Sequence, residues 1–530
     1  MKRGTIPLSE ISILFCDTTF EHDVYELIRA FYAGWEVKTV YPGTIKAQEI
    51  MAVCSAGQEG SLSVLPQDTL FFMVKWTEDE YRIRFFYAPV RDEAVTRTDS
   101  FGLLHFSFEE VGISHAEFAS HALRKRCKDH IKLSLYQLLV RNTGRSLPWG
   151  NLTGIRPVKL AMGMLEQGFS NVETAKVFRE KYCVSPGKTA LAVAIANRER
   201  ELLKGVDVRN GYSLYIGIPF CPSICLYCSF SSYPLSQWRD QVEAYLDALF
   251  FEMEEVSGLM KGTGRKLDTI YIGGGTPTTL EPEQLDRLLH QLGKCFGYDG
   301  IKEFTLEAGR PDSITSDKLA AIRRYPVSRI SINPQTMNDE TLSLIGRRHT
   351  SRQIIEAMAQ ARALGFDNIN MDIIIGLPGE NAQMVAHTLD EIQSLDPQSL
   401  TVHTLAIKRA ARLNMFRDQY TELTFESSQE IMDMTLNKAR QMGMEPYYLY
   451  RQKNMKGNFE NVGYAKPHKA GLYNVLIMEE RQSIIALGAG GASKLVFPEE
   501  NRVERVENVK DVKSYISRIE EMIQRKKDVL

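Results

Sequence analysis

Residues 211–228 read GYSLYIGIPFCPSICLYC, and this stretch decides the fold class. Its first half contains SLYIGIP (213–219), a short apolar and β-branched run of the kind that forms a buried strand. Five further runs of this kind follow, each separated from the next by an amphipathic stretch of helical length. They are LDTIYIGG (267–274), EFTLEA (303–308), SRISIN (328–333), DNINMDIIIG (367–376) and SLTVHTL (399–405).

Strand and helix alternate over these six segments, which predicts parallel βα units joined by right-handed crossovers. Six strands favour a partial (β/α)6 barrel of the TIM type over residues 211–425, because a complete barrel of this type needs eight strands. An open, doubly wound sheet is the alternative that the pattern also allows. The fold class predicted for the chain is therefore α/β.

The segments on either side of the barrel have a different pattern. Residues 1–140 predict an N-terminal α+β domain, and residues 141–210 predict a helical connector. Residues 426–530 predict a C-terminal extension that includes a short strand at 476–478. In the N-terminal domain, alternating apolar and polar residues predict antiparallel strands. They are WEVKTVY (35–41), SLSVLP (61–66), LFFMVKW (70–76) and YRIRFFYAP (81–89).

The overall composition argues against several classes of protein. The 530 residues are 44% hydrophobic and 25% charged, which is ordinary for globular proteins. A net charge of −2 disfavours a nucleic-acid-binding protein, which usually carries a basic excess. No run approaches the roughly 20 apolar residues of a membrane-spanning helix, and the first residues do not read as a secretion signal. We therefore expect a cytoplasmic protein that neither binds nucleic acid nor inserts into a membrane.

Three of the eight cysteines, Cys221, Cys225 and Cys228, lie close together directly after the first predicted strand. Their spacing is C-x3-C-x2-C, and such a cluster in a chain without an export signal indicates metal binding or redox chemistry. A structural zinc site normally has four ligands, and no fourth Cys or His lies nearby. Counting ligands therefore favours a [4Fe–4S] cluster with one open iron, with zinc or unliganded thiols as the alternatives.

The cysteine motif resembles the signature of radical S-adenosylmethionine (radical SAM) enzymes, in which an aromatic residue such as Tyr227 precedes the third cysteine. The resemblance implies that the open iron binds adenosylmethionine, and that one electron from the cluster breaks a carbon–sulfur bond. The resulting 5′-deoxyadenosyl radical abstracts a hydrogen atom from the substrate. The second strand runs into Gly273-Gly274-Gly275-Thr276-Pro277, which resembles the motif that binds the amino group of adenosylmethionine in these enzymes.

Polar residues also stand at or near the ends of the later strands. Glu307 ends the third strand, Gln335 and Arg347 follow the fourth, and Asp372 lies in the fifth. Parallel α/β barrels build their active sites at the carboxyl ends of their strands. We therefore expect these side chains to share one site with the cysteines.

Longer segments of the chain form a more specific pattern than any single motif. They are YIGIPFCPSICLYC, IYIGGGTPT, TLEA, SINPQT with GRRH, MDIIIGLPGE and ALGAGGAS, together with LPWGNLTGIRP, TLEAGRPDS and YYLYRQKNMKGNFENVGY. The set resembles the oxygen-independent coproporphyrinogen III oxidase family, and the last three segments resemble its HemZ-type group. This resemblance implies anaerobic decarboxylation of coproporphyrinogen III to protoporphyrinogen IX, with a reduced flavodoxin- or ferredoxin-type electron donor. It also implies that residues 426–530 cover the substrate and the cofactors.

Carried over by position, the resemblance assigns residues to one or to two adenosylmethionine molecules. The molecule bound to the cluster would contact Tyr215, Gly274, Glu307 and Ala406. A second molecule, as in the decarboxylating enzymes, would contact Tyr227, Gly275, Thr276, Gln335, Arg347 and Asp372. In the tail, Arg451 and Lys453 are candidates to bind the propionate carboxylates of a tetrapyrrole. His403 is a candidate heme ligand if the protein is a heme chaperone, and a core histidine otherwise.

One position departs from the decarboxylating enzymes, whose motif continues to a fourth cysteine. Here that position is Phe230, and the heme-chaperone (HemW-type) relatives share the phenylalanine. A heme-binding chaperone is therefore the first alternative function, and a radical SAM enzyme acting on another tetrapyrrole is the second. The segments that resemble the whole family span residues 211–495, and the first 210 residues have no counterpart in the decarboxylating or HemW-type relatives, so the resemblance implies no role for them.

Overall fold

The computed structural model describes residues 10–15, 20–32, 35–41, 43–44, 70–76, 81–87, 106–107, 121–154, 156–229, 232–406, 425–452, 459–500 and 502–530. The predicted strand at 61–66, Phe230 and Lys453 lie outside the described residues. The chain divides into two compact units. One consists of Met1–Gly154 and Ser170–Ala190, and the other consists of Ile155–Phe169 and Leu191–Leu530.

The first part of the chain mixes short strands with helices. The strands are Glu10–Leu14 (β1), Glu36–Val40 (β2), Leu70–Trp76 (β3), Tyr81–Tyr87 (β4) and Phe106–Ser107 (β5). The helices are Glu21–Phe31 (α1), His121–Thr143 (α2), Pro157–Glu166 (α3), Asn171–Glu180 (α4) and Pro186–Leu203 (α5). The antiparallel pairing predicted for β3 and β4 is confirmed. For β2 it is wrong, because β2 pairs in parallel with β1, and helix α1 provides the crossover that a parallel pair needs.

Helix α1 supplies much of the core of the first unit. Val24, Leu27, Ile28 and Phe31 are buried, and their spacing puts them on one face of the helix. This face packs against α2, where the ring of Phe31 meets the ring of Tyr136 edge-on at 5.5 Å between centroids. Amphipathic spacing is thus sufficient to explain how α1 is anchored in this unit.

The second unit contains the predicted barrel. Its strands begin with Gly211–Ile218 (β6), Phe220–Cys221 (β7), Tyr233–Pro234 (β8), Lys266–Gly274 (β9), Glu303–Gly309 (β10), Arg329–Ile332 (β11), Ile369–Ile375 (β12) and Ser399–Thr404 (β13). The helices between them are Leu235–Trp238 (α6), Val242–Gly262 (α7), Pro282–Phe296 (α8), Ser316–Arg323 (α9), Asp339–Leu344 (α10), Ser351–Ala363 (α11) and Ala382–Leu395 (α12). All six barrel strands predicted from the sequence are confirmed.

The order of the barrel strands decides between the two predicted architectures. β6, β9, β10, β11, β12 and β13 lie side by side in sequence order, and each pairs in parallel with the next. A doubly wound sheet reverses its strand order at a switch point, and no reversal occurs among these six strands. The fold is therefore the α/β partial barrel of the TIM type.

The C-terminal part of the chain extends this sheet at both edges. Its helices are Gln429–Gln441 (α13), Leu472–Glu479 (α14), Val512–Ser517 (α15) and Ile519–Lys527 (α16). Its strands are Glu445–Tyr450 (β14), Asn461–Ala465 (β15), Ser483–Leu487 (β16), Ala492–Phe497 (β17) and Arg502–Glu507 (β18). β15 pairs antiparallel with β13, and β16 pairs in parallel with β6 at the opposite edge. No helix in the described ranges has the length and apolar character of a membrane span.

The strand predicted at 476–478 is wrong, because these residues belong to helix α14. A short apolar run does not by itself distinguish a buried strand from a buried helix. The helix begins where the carboxylate of Glu303 accepts hydrogen bonds from the backbone N–H groups of Leu472 and Tyr473. A carboxylate at this position stabilises a helix N-terminus. Glu303 lies about 170 positions before the helix in the chain, so local sequence patterns do not reveal this contact.

A buried polar network ties the last helix to the first long helix of the barrel. Lys526 Nζ donates to Glu252 Oε1 at 2.7 Å and to Asn508 Oδ1 at 2.6 Å. Glu252 Oε2 accepts from the backbone N–H of Gly488 at 2.8 Å and from the hydroxyl of Tyr515 at 2.6 Å. The side chains of Lys526 and Glu252 are 1% and 0% exposed. Both charges are therefore compensated only by groups inside the network.

Replacing Lys526 with methionine should destabilise the protein strongly. Glu252 would lose its charged partner in a buried site, and breaking a buried ion pair in this way costs about 3–5 kcal/mol. The matched control is Lys527→Met, since Lys527 pairs with Glu255 at 2.8 Å but is 39% exposed. The free energy of unfolding of that variant should fall by at most about 1 kcal/mol. Urea unfolding followed by circular dichroism measures both, and equal losses would contradict the role assigned to the network.

Candidate functional site

The three clustered cysteines lie on the loop that leaves strand β6. After Pro219, strand β7 pairs in parallel with β8, so that Cys221 lies opposite Pro234. Further along, the backbone N–H of Leu226 donates to the carbonyl of Ile345 at 2.9 Å. Ser223 Oγ donates to the carbonyl of Gly346 at 2.8 Å. The loop is thus held at its start by strand pairing and in its middle by hydrogen bonds to residues 345 and 346, and Cys221 and Cys225 are buried within it.

The sulfur atoms of these cysteines affect one another electrostatically. Burial raises the pKa of the Cys221 thiol to about 12; a hydrogen bond with Thr276 lowers it, and the nearby Cys225 and Cys228 raise it further. Thiols in such an environment ionise only when a cation or a metal cluster compensates their charge. In the described part of the chain, no three His, Cys, Asp or Glu side chains converge on a single metal ion. A [4Fe–4S] cluster fits this donor set better than zinc, because each cysteine then binds a different iron atom.

Gly274 at the end of β9 and Gly275 directly after it allow the backbone to lie close to the cysteine loop. The N–H of Gly275 donates to the carbonyl of Ile218, and the N–H of Thr276 donates to the carbonyl of Phe220, both at 2.7 Å. A Cβ atom on Gly275 would lie 2.5 Å from the carbonyl oxygen of Phe220, and Gly274 has a φ of +109°. Close approach and an unusual backbone angle are the two properties that require glycine.

Glu307 forms a second polar group in the site, together with two tyrosines. The hydroxyl of Tyr271 donates to Glu307 Oε1, and the ring of Tyr215 stacks on that of Tyr271 at 6.2 Å between centroids. Burial raises the pKa of Glu307 to about 7; the bond from Tyr271 lowers it, and the charge of Asp372 raises it. Near neutral pH, this carboxyl can therefore change between its protonated and ionised forms.

Gln335 and Arg347 carry buried polar atoms that lack a partner. Gln335 has a φ of +68°, and backbone hydrogen bonds at 2.9 Å to Asp372 and Ile374 hold it there. Its Oε1 atom and the Nε atom of Arg347 are buried without a hydrogen-bond partner among the described residues. Unpartnered buried polar atoms are rare in native proteins. These two atoms fit a polar ligand such as the methionine part or ribose of adenosylmethionine.

Further contacts connect Arg347 and Asp372 to their surroundings. Arg347 Nη1 donates to the hydroxyl of Tyr227 at 3.1 Å, and Nη2 donates to the carbonyl of Asn333 at 2.6 Å. Asp372 lies 3.6 Å from His403 Nε2 and accepts from Asn370 at 2.7 Å. Burial raises the pKa of Asp372, but His403 and the hydrogen bonds from Asn370 and Thr401 together outweigh this effect, so that the pKa is lowered overall.

The structure thus brings most of the predicted site residues into one region. Direct contacts or electrostatic effects connect the members of two groups. The first group consists of the three cysteines, Thr276, Tyr227 and Arg347. The second group consists of Glu307, Tyr215 and Asp372. Ala406 is the second residue after β13 and is half-buried, and residues 407–424 lie outside the described ranges. Arg451 follows β14 and is buried, which lowers its pKa to about 10 in spite of the nearby Glu460.

Three charged or titratable residues at the site were missed from the sequence. Arg310 Nη1 lies 3.6 Å from Cys225 Sγ, and its Nε and Nη2 donate to the two carboxylate oxygens of Asp312 at 2.9 and 2.6 Å. His349 Nδ1 lies 3.4 Å from the same carboxylate. Burial raises the pKa of Asp312, but His349 and Arg310 hold it well below its ordinary value. The signal was present, since Arg310 directly follows the carboxyl end of β10.

Glu307→Gln should remove a pH dependence from the stability of the protein. The folded-state pKa of Glu307 is about 7 and its ordinary value is 4.5, so its favourable contribution is complete below pH 4.5 and is lost as the pH rises to about 7. The loss amounts to at most about 3 kcal/mol, and glutamine can still accept the bond from Tyr271. Urea unfolding of the metal-free protein between pH 5 and 8 measures it, and parallel curves for the two proteins would contradict the expectation.

The chain was compared with known proteins. Residues 215–392 match the family model described as the radical SAM superfamily. The oxygen-independent coproporphyrinogen-III oxidase-like protein HemZ of Bacillus subtilis (strain 168) is 39% identical over 436 residues, which cover 81% of this chain and 87% of that protein. The heme chaperone HemW of the same organism is 31% identical over 312 residues, which cover 58% of this chain and 76% of HemW.

A third relative is known from both sequence and structure. The oxygen-independent coproporphyrinogen III oxidase of Escherichia coli (strain K12) is 31% identical over 238 residues, which cover 45% of this chain and 48% of that enzyme. The solved structure of coproporphyrinogen III oxidase (HemN) from Escherichia coli aligns with 61% of this chain and 73% of its own, at 24% identity and a TM-score of 0.49. The superfamily match and the long alignment with HemZ show that the chain belongs to the radical SAM family of oxygen-independent coproporphyrinogen III oxidase-like proteins.

Proposed function

We propose that the protein catalyses the oxidative decarboxylation of coproporphyrinogen III to protoporphyrinogen IX. Membership of the radical SAM superfamily implies a [4Fe–4S] cluster and adenosylmethionine as cofactors, and the proposal includes a second adenosylmethionine. The contact of Arg347 with Tyr227 at 3.1 Å carries the proposal, because it joins the residues expected at a second adenosylmethionine to the cysteine loop. Two of the relatives described above are named for this oxidase or for likeness to it.

The side chains at the site have separate tasks in this proposal. The three cysteines hold the cluster, which supplies, together with adenosylmethionine, the radical that removes one hydrogen atom from a propionate side chain. Ionised Glu307 accepts hydrogen bonds from ribose hydroxyls. Arg347 donates its unpartnered Nε–H to a methionine carboxylate, an interaction that a guanidinium makes well. The buried amide oxygen of Gln335 accepts a hydrogen bond from the amino group of the same methionine part.

The reaction requires an electron donor and an electron acceptor. Each propionate that becomes a vinyl group loses one hydrogen atom, one carbon dioxide molecule and one electron. A reduced flavodoxin- or ferredoxin-type protein supplies the electron that starts each turnover, and an acceptor removes the electron that the substrate gives up. Arg451 and Lys453 are proposed to bind the other carboxylates of the substrate, because tetrapyrrole propionates are anions that guanidinium and ammonium groups recognise.

A heme chaperone is the second candidate function, and one observation favours it. Phe230 occupies the position at which decarboxylating enzymes have a fourth cysteine. The HemW relative also aligns over a larger share of its length than the Escherichia coli oxidase does. In that case the same fold and cluster would serve heme delivery, with His403 as a candidate ligand of the iron. A radical SAM enzyme acting on another tetrapyrrole is the third candidate.

The products of the reconstituted protein distinguish these functions. The protein is loaded anaerobically with iron and sulfide, and it then receives a reductant, adenosylmethionine and coproporphyrinogen III. We expect vinyl-bearing tetrapyrrole together with 5′-deoxyadenosine, measured by chromatography with mass detection. Cys225→Ala should form neither product and should lose the iron–sulfur absorbance. Cys295→Ala, which changes a cysteine of helix α8, should form both products and keep the absorbance.

Other outcomes would contradict the decarboxylase. Deoxyadenosine without a change in the porphyrinogen would indicate a radical enzyme with another substrate. Stable binding of heme without vinyl formation would indicate the chaperone. Iron–sulfur absorbance that survives in Cys221→Ala, Cys225→Ala and Cys228→Ala would contradict the cluster itself.

The second adenosylmethionine can be tested by counting bound molecules. Arg347→Gln removes the guanidinium that is proposed to hold its carboxylate, so we expect the stoichiometry in equilibrium dialysis to fall from two to one. Arg348→Gln is the matched control, because Arg348 is the adjacent residue and its side chain is exposed. A stoichiometry that is the same in both variants and the unmodified protein would contradict the second site.

A further inference from the structure

Arg310 places a positive charge directly beside one of the cysteines. Its Nη1 atom lies 3.6 Å from Cys225 Sγ, and the same nitrogen donates to the carbonyl and the hydroxyl of Ser223, both at 2.9 Å. Ser223 lies between the first and second cysteines of the motif. The guanidinium therefore contacts both the loop backbone and a sulfur atom that is expected to bind iron.

The position of this guanidinium is determined by neighbouring side chains. Arg310 is 4% exposed, and its other two nitrogens form a bidentate pair with the carboxylate of Asp312. His349 Nδ1 lies 3.4 Å from one oxygen of that carboxylate, and the side chain of His349 is fully buried. A bidentate pair between planar groups fixes orientation as well as distance. Arg310 thus has one orientation, in which its Nη1 faces both Ser223 and Cys225.

We infer that Arg310 is a positioning residue that sets the reduction potential of the cluster through Cys225, and that Asp312 orients Arg310 and partly offsets its charge. The inference rests on the cluster of the proposed function and is independent of the substrate. Hydrogen bonds to the sulfur ligands and nearby charges are among the factors that set the potential of an iron–sulfur cluster. None of the three residues was assigned a role from the sequence motifs.

The sign of the effect follows from electrostatics. Reduction adds one negative charge to the cluster and its thiolates. A fixed positive charge near Cys225 stabilises the reduced form relative to the oxidised form, and a fixed negative charge does the opposite. Arg310 therefore raises the potential, and Asp312, which lies behind Arg310, lowers it by a smaller amount. Removing the two charges one at a time should shift the potential in opposite directions.

The test is a potentiometric titration of the reconstituted protein without substrate, followed by electron paramagnetic resonance. In Arg310→Gln, we expect the equilibrium constant for one-electron reduction to fall about tenfold, which corresponds to about 59 mV toward more negative potential. Asp312→Asn should shift the potential toward more positive values. Arg310→Lys keeps the charge but loses the bidentate geometry, so its shift should be smaller than that of Arg310→Gln.

A matched control removes the same charge at a distance from the cysteines. Arg324 follows helix α9, is 60% exposed and pairs with Asp286 at 2.9 Å. Arg324→Gln should leave the potential unchanged. Thermal unfolding of the metal-free variants, followed by circular dichroism, shows whether each has folded.

Two results would overturn the inference. One is a shift of the same sign in Arg310→Gln and Asp312→Asn, and the other is a shift in Arg310→Gln no larger than in Arg324→Gln. If Arg310→Gln retains no cluster, the sign for Asp312→Asn decides, and an unchanged or more negative potential contradicts the role. A lack of vinyl product in the unmodified protein would contradict the proposed substrate but would not alter these potentials.

Discussion

The site depends most on the close contact between the end of strand β9 and the start of the cysteine loop. Two backbone hydrogen bonds of 2.7 Å, from Gly275 to Ile218 and from Thr276 to Phe220, extend the pairing of β6 and β9 beyond the ends of both strands. A side chain at position 275 would collide with the carbonyl of Phe220. The placement of Cys221 is thus a property of the backbone, and the side chains around it adapt to that geometry.

Burial and charge then divide the site into two electrostatic environments. Near the cysteines, Arg310 supplies positive charge beside Cys225 and lowers the pKa of the Cys221 thiol, which burial raises. Near Glu307, burial and the charge of Asp372 create surroundings in which a carboxyl retains its proton up to about pH 7. An anionic metal cluster suits the first environment. Neutral polar groups such as ribose hydroxyls suit the second, and the parallel strand order places the two beside each other.

Local patterns in the sequence were sufficient for the barrel strands and for the cysteine loop, because strand periodicity and ligand spacing are short-range properties. They failed where a distant residue decides the structure. Helix α14 was predicted as a strand because its short apolar run fits both structures. The contact that stabilises its N-terminus comes from Glu303, far away in the chain. Arg310 was overlooked because its importance lies in a contact with Cys225, 85 positions earlier. Asp312 and His349 were missed with it, because Asp312 contacts Arg310 and His349 contacts Asp312.

The pairing of β16 with β6 has a consequence for the order of events during synthesis. β6 leads directly into the cysteine loop, but its outer edge is covered only when residues 483–487 pair with it. Glu252 finds its partner Lys526 later still, 274 positions along the chain. A ribosome releases the N-terminal parts of a chain first, so the cysteines emerge long before their scaffold is complete. The strand that leads into the cysteine loop therefore reaches its final pairing only after residues 483–487 have been translated.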